Sequence, residues 1–263
     1  GTPSSDQSAG DLQDASTSAA CGWSWPGPGA DDAAIVEIAK AHPTDGTRPV
    51  AAIASCQLGE PVNRKRAQRA MRTHRLLQPT RSLGRRRRPG YFRVRRPDEL
   101  WHMDMTKVWT AQHGWVYLHA IVDCCTRELV AWSLDVRGRT VEALACVDTA
   151  MIRRSVARDR LTIGTDNGTQ FTSRPFRSRL VEQGIVHRRG GYRDPESQAF
   201  IESWFGQSKK RVAWRAEWET IDQARRDIAN YMNEYHRRPH SGLAYRTPAE
   251  VAHTWQTLNN QAT

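Results

Sequence analysis

Three carboxylates fall in the sequence where an acid has chemical rather than solvating work to do. Asp104 lies inside WHMDMT, whose apolar and aromatic neighbours read as a strand. Alternation puts His102, Asp104 and Thr106 on one face of it and Met103 and Met105 on the other. An acid in an otherwise apolar strand is costly unless it is paired or bound to a cation. Asp166 follows the short apolar run LTIGT, within IGTDNGTQF (163–171). That stretch alone reads in two ways. Asn-Gly after an aspartate suits a hairpin turn, while the carboxyl end of a buried strand is where α/β sheets carry ligands. Glu202 sits mid-helix in PESQAFIESWFGQSKKR, with Phe200, Ile201 and Trp204 as the core face. Gln198, Glu202, Phe205 and Lys209 share the adjoining stripe. Any one acid could simply pair with one of the many arginines. As a set, three carboxylates on two strands and a helix suit Mg²⁺, a hard ion that keeps positions open for water and phosphate. Two such ions about 3.5–4 Å apart stabilise the attacking and leaving oxygens of an in-line phosphoryl displacement. Lys209, one helical face from Glu202, is placed to meet the substrate phosphate.

The elements that must position these groups follow from periodicity. LWHMDMTKVW (100–109), GWVYLHAIVD (114–123) and ELVAWSLD (128–135) read as a three-strand meander, with turns at 112–114 and 124–127. A helix is predicted over 140–155, with Val141, Leu144, Ala145, Asp148 and Ile152 at helical spacing. A strand over 161–165, a helix over 175–183 and a strand over 185–189 come next, and helices over about 195–213 and 219–237 close the domain. Antiparallel strands followed by alternating helices and single strands make an α/β sheet with helices on both faces.

Upstream, three short helices are predicted over 32–41, 47–56 and 63–77. In the third, Asn63 is an N-cap and Ala67, Ala70, Met71 and His74 form a narrow inward stripe. The remaining faces offer Arg64, Lys65, Gln68 and Arg69, as the recognition helix of a helix-turn-helix would to a major groove. Residues 1–30, rich in Ser, Ala, Gly, Asp and Pro, are predicted disordered. The charge is partitioned along the chain. Residues 1–60 sum to −6, residues 61–96 to +14 with no acid at all, and 97–263 to +3, for a net +11. A segment that basic repels itself unless a polyanion neutralises it. The linker 79–97, with Arg85, Arg86, Arg87 and Arg88 in a row, suits a DNA backbone or minor groove and specifies sequence poorly. Five cysteines without C-x-x-C spacing argue against a zinc site or a disulfide framework and fit a reducing cytosol. No apolar run reaches the length of a membrane span and no signal peptide is visible, so a cytoplasmic, nucleoid-associated protein without membrane partners is expected. The first methionine is Met71, inside a predicted helix, which points to a fragment, a processed product or the downstream part of a longer translation product.

From WHMDMT through LTIGTDNGTQF and ESWFGQSKK to YHRRPHSGLAYRTPAEV, the chain resembles bacterial insertion-sequence transposases whose catalytic core is similar to retroviral integrase and RNase H. Between Asp166 and Glu202 lie 35 residues, the spacing that gives this superfamily its Asp-Asp-35-Glu description. The resemblance covers about 98–253 and extends more weakly to 31–78. It implies an RNase H-like core, a mixed five-stranded sheet with helices on both faces, over 98–253, preceded by an all-α helix-turn-helix domain over 31–78 and followed by a tail, 254–263. It implies that Asp104, Asp166 and Glu202 are catalytic and hold two Mg²⁺ ions, for which Mn²⁺ substitutes, and that Lys209 is the basic residue beyond the glutamate. The implied activity is binding of the element's terminal inverted repeats in double-stranded DNA, cleavage beside a 3′ end, and attack of the freed 3′-hydroxyl on target DNA by a homo-oligomer. The segment Tyr235–His240 with Leu243 and Pro248 matches the C-terminal signature, with a structural or DNA-flanking role. Relatives of this type are often made by ribosomal frameshifting. There is one departure: where these transposases show Asp-Asn-Ala before the glutamate, Ser197, Gln198 and Ala199 stand here. That change beside the metal site keeps open a decayed element acting only as a DNA-binding repressor; an RNase H-like nuclease that does not join strands is a separate reading, against which the helix-turn-helix argues.

Overall fold

The computed structural model describes residues 32–78, 94–190 and 199–261. The predicted disordered segment, Arg85 to Arg88, and the Ser197–Gln198 departure lie outside them.

The upstream unit consists of α1 (Ala33–Ala41), α2 (Thr47–Leu58) and α3 (Arg64–Thr73). Their apolar faces close on one another through Ile35, Val36, Val50, Ala54, Ala67 and Met71. Asn63 caps α3 as expected, its side-chain oxygen accepting from the Lys65 N–H at 2.8 Å. Asn63→Ala should weaken this helix by about 1 kcal/mol, read as faster amide exchange in its first turn. The helix ends four residues earlier than predicted. Arg75 takes a left-handed φ of 57°, and the Leu76 N–H returns to the Met71 carbonyl at 2.8 Å. Leu76 and Leu77 thereby fold back on the three-helix core, whereas continuing the helix would carry them past it. His74, expected inward, is exposed at the helix end.

The core sheet follows the predicted order. β1 (Leu100–Thr110), β2 (Gly114–Asp123) and β3 (Leu129–Asp135) form the antiparallel meander. After α4 (Thr140–Arg154), β4 (Thr162–Thr165) returns parallel to β1. The short α5 (Thr169–Thr172) and α6 (Arg174–Glu182) then lead to β5 (Val186–Arg189), parallel to β4. The strand order is β3-β2-β1-β4-β5. This is the mixed five-stranded sheet expected of an RNase H-like core.

The sheet separates two apolar layers. On the Met103 side, Trp101, Ile121 and Ile163 pack with α4 and α6. α4 buries Ala143, Cys146, Val147 and Ala150, not the predicted stripe. Val141 and Ile152 are instead 68% and 80% exposed. The buried face keeps the helical period but is displaced by two residues, because small side chains let the helix lie close to the sheet. On the other side, α7 (Ala199–Ser208) and α8 (Ile221–His236) cover Val116, Leu118 and Ala120.

Between α7 and α8 the chain winds into a π-turn, Lys209–Ala213, closed by the Trp214 N–H on the Lys209 carbonyl. Beyond it Trp218 is buried, forms a β-bridge with Thr110, and offers its carbonyl to the Ala111 N–H at 2.8 Å. After a 3₁₀ turn at Ser241–Leu243, α9 spans Pro248–Gln261. Residues 254–261, read from sequence as a tail, thus continue the last helix. Its start at Pro248 suits a residue pre-set for the first helical turn.

The three-helix unit is seated on this core by a shared carboxylate. Asp45, in the turn between α1 and α2, has a side chain only 1% exposed and ion-pairs with both Arg211 and Arg238. Arg238 also pairs with Glu234 and meets His42 Nδ1 at 3.1 Å.

Candidate active site

Parallel pairing brings the two aspartates to one level. His102 is registered with Gly164 across β1 and β4, the last pair of that ladder. Two residues further along each chain stand Asp104 and Asp166, on neighbouring strands that lie about 4.8 Å apart in a sheet. Equal parity puts both on the face covered by α7. The strand reading of IGTDNGTQF is therefore the one that forms, with β4 ending at Thr165 and Asp166 immediately after it.

Each aspartate is oriented by a local hydrogen bond. Asp104 Oδ1 accepts from the Met105 N–H at 2.7 Å. Asp166 Oδ1 accepts from the Gly168 N–H at 2.9 Å, and Asn167 Nδ2 donates to the Gly190 carbonyl at 3.0 Å. A side chain on Gly168 would collide with Gln170 and with Asp166 itself, so the glycine lets the turn stay closed on the carboxylate.

Glu202 comes from α7, whose depth is set by buried Ile201, Trp204 and Phe205. Phe205, expected on the stripe of Glu202, is part of the core, while α7 runs regularly to Ser208 and so keeps Lys209 on that stripe, the π-turn beginning there. Lys209 is half-buried and near the acids. The Asp104 carboxyl carries the imprint of all three neighbours. Burial pushes it up to about 6, the charges of Asp166 and Glu202 push the same way, and the Met105 N–H and the Lys209 ammonium oppose them. That is the condition a divalent cation relieves, because its charge removes both the desolvation cost and the mutual repulsion of the carboxylates.

Among the described residues no three His, Cys, Asp or Glu side chains are gathered as a ready-made metal site. Asp104 senses the charges of Asp166 and Glu202, and the three are not drawn into a ligand shell. In type they fit Mg²⁺, being hard oxygen donors within reach of solvent: Asp166 and Glu202 are exposed and Asp104 is half-buried.

Sequence reading overlooked two basic residues on the neighbouring strand β5. Gly164 is registered with Arg188 and Thr165 with Arg189, so strand alternation puts Arg188 on the face of the acids and Arg189 on the opposite one. The charge of Arg188 also acts on His102. Their signal lay in the polar ending of the predicted strand IVHRR. Of the predicted groove-reading side chains, Arg64, Lys65 and Arg69 are exposed and Gln68 is half-buried, on the upstream unit and away from the acids. Arg69 also lies 3.8 Å from Asp32.

Two family models described as integrase core domain match the chain, over residues 94–195 and 183–248. Together they span more than half of it and include all three acids. The chain belongs to the integrase core family. Its relatives are insertion-sequence transposases, as the resemblance implied. It is 29% identical over 161 residues to the transposase for insertion sequence element IS904 of Lactococcus lactis, covering 60% of this chain and 63% of that one. It is 30% identical over 162 residues to the transposase for insertion sequence element IS629 of Shigella sonnei, covering 61% and 53%. The chain thus spans less than two thirds of the length of either. Among solved structures, the HTLV-2 integrase catalytic core domain in complex with magnesium is similar over 59% of this chain and 96% of that one, with 19% identity and a TM-score of 0.45. Among the described residues of this integrase-core chain, no helix is long and apolar enough to cross a membrane.

Proposed function

We propose that the chain is an insertion-sequence transposase that binds the element's terminal inverted repeats and catalyses metal-dependent cleavage and joining of DNA strands. One observation carries the reading: Asp104, on a central strand, responds at once to Asp166 beyond β4 and to Glu202 and Lys209 on the helical stretch begun by α7. Asp104, Asp166 and Glu202 would hold the metal. Bound there, Mg²⁺ supplies Lewis-acid stabilisation of the phosphoryl oxygens and a water of lowered pKa. The residues of the chain do the rest. Lys209 neutralises the non-bridging oxygens of the phosphate, Arg188 draws the backbone toward the acids, and α3 presents Arg64, Lys65, Gln68 and Arg69 to the major groove of the repeat. No carboxylate has to carry a proton, and no covalent enzyme intermediate is needed. Because two ends must be held together for joining, the working form is a homo-oligomer on double-stranded DNA.

The test is end-labelled repeat DNA incubated with Mg²⁺, with Mn²⁺ in its place, and with Ca²⁺ as a binding-only control. Cleavage beside the 3′ end together with joined products is expected in the first two. Cleavage without joined ends would replace this reading with a nuclease, and binding without cleavage would replace it with a repressor, the outcome that Ser197 and Gln198 make worth testing. Replacing Arg85 to Arg88 with alanine should weaken binding to all DNA alike. It should also flatten the plot of log K against log salt by about 0.9 for each phosphate the variant no longer neutralises.

A further inference from the structure

The C-terminal signature around Tyr235–His240 has no place in the mechanism above, yet it reaches toward the acids through one arginine. Tyr235 Oη donates to the Arg127 carbonyl at 2.8 Å, and His236 Nε2 accepts from the Leu129 N–H at 3.0 Å. These bonds clamp the β2–β3 turn on both sides of Glu128. Within that turn Arg127 adopts a left-handed φ of 63°, and its N–H is held by the Asp123 carbonyl at 2.9 Å. The His240 ring, 6.5 Å from that of Tyr235, backs the clamp. The Arg127 guanidinium carbon lies 3.2 Å from the centre of the Phe200 ring. Its Nε and Nη1 are buried and have no hydrogen-bond partner among the described residues. A buried guanidinium without an acid partner finds its compensation in the negative face of an aromatic ring, and desolvation strengthens that attraction. Phe200 in turn stacks on His102, with centroids 5.6 Å apart and planes inclined by 22°.

His102 is two residues before Asp104 on the same strand face, and Phe200 is two residues before Glu202 on α7. On a helix, Phe200 and Glu202 are roughly 200° apart, so they flank the buried stripe of Ile201, Trp204 and Phe205 on opposite sides. A roll of the helix about its axis moves both. The apolar stripe fixes the depth of α7 and leaves its roll to be set by whatever grips the shoulders. We propose that Arg127, clamped by Tyr235 and His236, is a positioning residue that pins the Phe200 shoulder of α7 against His102 and so fixes where Glu202 stands relative to Asp104. The inference rests on the reading of Glu202 as a metal-holding acid.

The test compares Arg127→Met, which keeps length and apolar bulk, with Arg127→Lys, which restores a cation, in the full chain. Two readouts are taken: Mn²⁺ affinity by electron paramagnetic resonance without DNA, and the KM and kcat of repeat cleavage. Partners that orient metal ligands typically matter by about 10–100-fold. Arg127→Met should therefore weaken Mn²⁺ binding about tenfold and lower kcat similarly, with KM for DNA within twofold of wild type and Arg127→Lys recovering part of both. Unchanged Mn²⁺ affinity, or a rise in KM alone, overturns the proposal. Should Arg127→Met not fold, Tyr235→Phe decides, since it deletes one hydroxyl. A smaller loss in the same two readouts supports the brace, and none refutes it. Failure of the metal-site reading looks different, because wild type itself would neither bind Mn²⁺ at the acids nor cleave.

Discussion

Asp166→Asn should lower strand cleavage and strand joining by roughly 10³-fold or more, while the Kd for repeat DNA stays within about twofold of wild type. The substitution is chosen for what it preserves. An amide oxygen can still accept from the Gly168 N–H, which Asp166 Oδ1 does now at 2.9 Å, so the turn after β4 keeps its shape. What disappears is one negative charge among three. The amide is a weaker ligand for a hard cation, and the Asp166 share of the repulsion raising Asp104 falls away while burial and Glu202 still raise it. The Asp104 carboxyl in the variant should therefore titrate lower than the value of about 6 it has here, which carboxyl-labelled NMR would read. A variant that cuts and joins as fast as wild type would end the transposase reading, whatever the family.

The second large effect concerns how the upstream helices are seated. Asp45 is shared by Arg211 and Arg238, whose side chains are 16% and 12% exposed. Removing one partner of a buried ion pair leaves uncompensated charge behind, at a cost of about 3–5 kcal/mol, and here two guanidinium groups would be left facing each other. Asp45→Ala should separate the melting of the three-helix unit from that of the core. Urea denaturation followed by amide exchange in each unit should show two transitions in the variant and one in wild type. Adding Arg211→Met and Arg238→Met to that variant should recover stability, because the remaining surface is then apolar and unburdened by charge. A single transition at the wild-type midpoint would mean that these pairs contribute nothing to seating the unit.

Much of the core was legible because strands announce themselves by alternation. The meander, its turn at Gly114 with φ of 66°, and the separation of Met103 from His102 across the sheet follow from period two and from residue shape. Helix faces were harder. In α4, bulk pointed to Val141 and Ile152, but the sheet selects for close approach, and alanines and Cys146 win. After α7 the pattern assumed a regular α-helix continuing to about 213, and nothing in GQSKKR signals a π-turn from Lys209. Asp45 gave no sign at all. HPTDG reads as a turn, and its partners lie 166 and 193 residues away. The three acids could be named, whereas their closing around a cation is not something the fold by itself displays. Arg127 and Phe200 were invisible as a pair, since a ring and a guanidinium carry no periodic signature.

The turn at Lys209–Ala213 holds one residue more than a regular helix would spend on it. Excising that residue would leave a smoother coil with better local geometry. Yet everything downstream would swing by about 100° and shift by about 1.5 Å along the axis. Trp218 would then lose its pairing with Thr110 and its grip on the Ala111 N–H at the tip of the first hairpin. The extra residue thus works as a phase adjuster. It lets one face of the coil answer to the acids and the next stretch answer to the far end of the sheet, which no uninterrupted α-helix of this length could do.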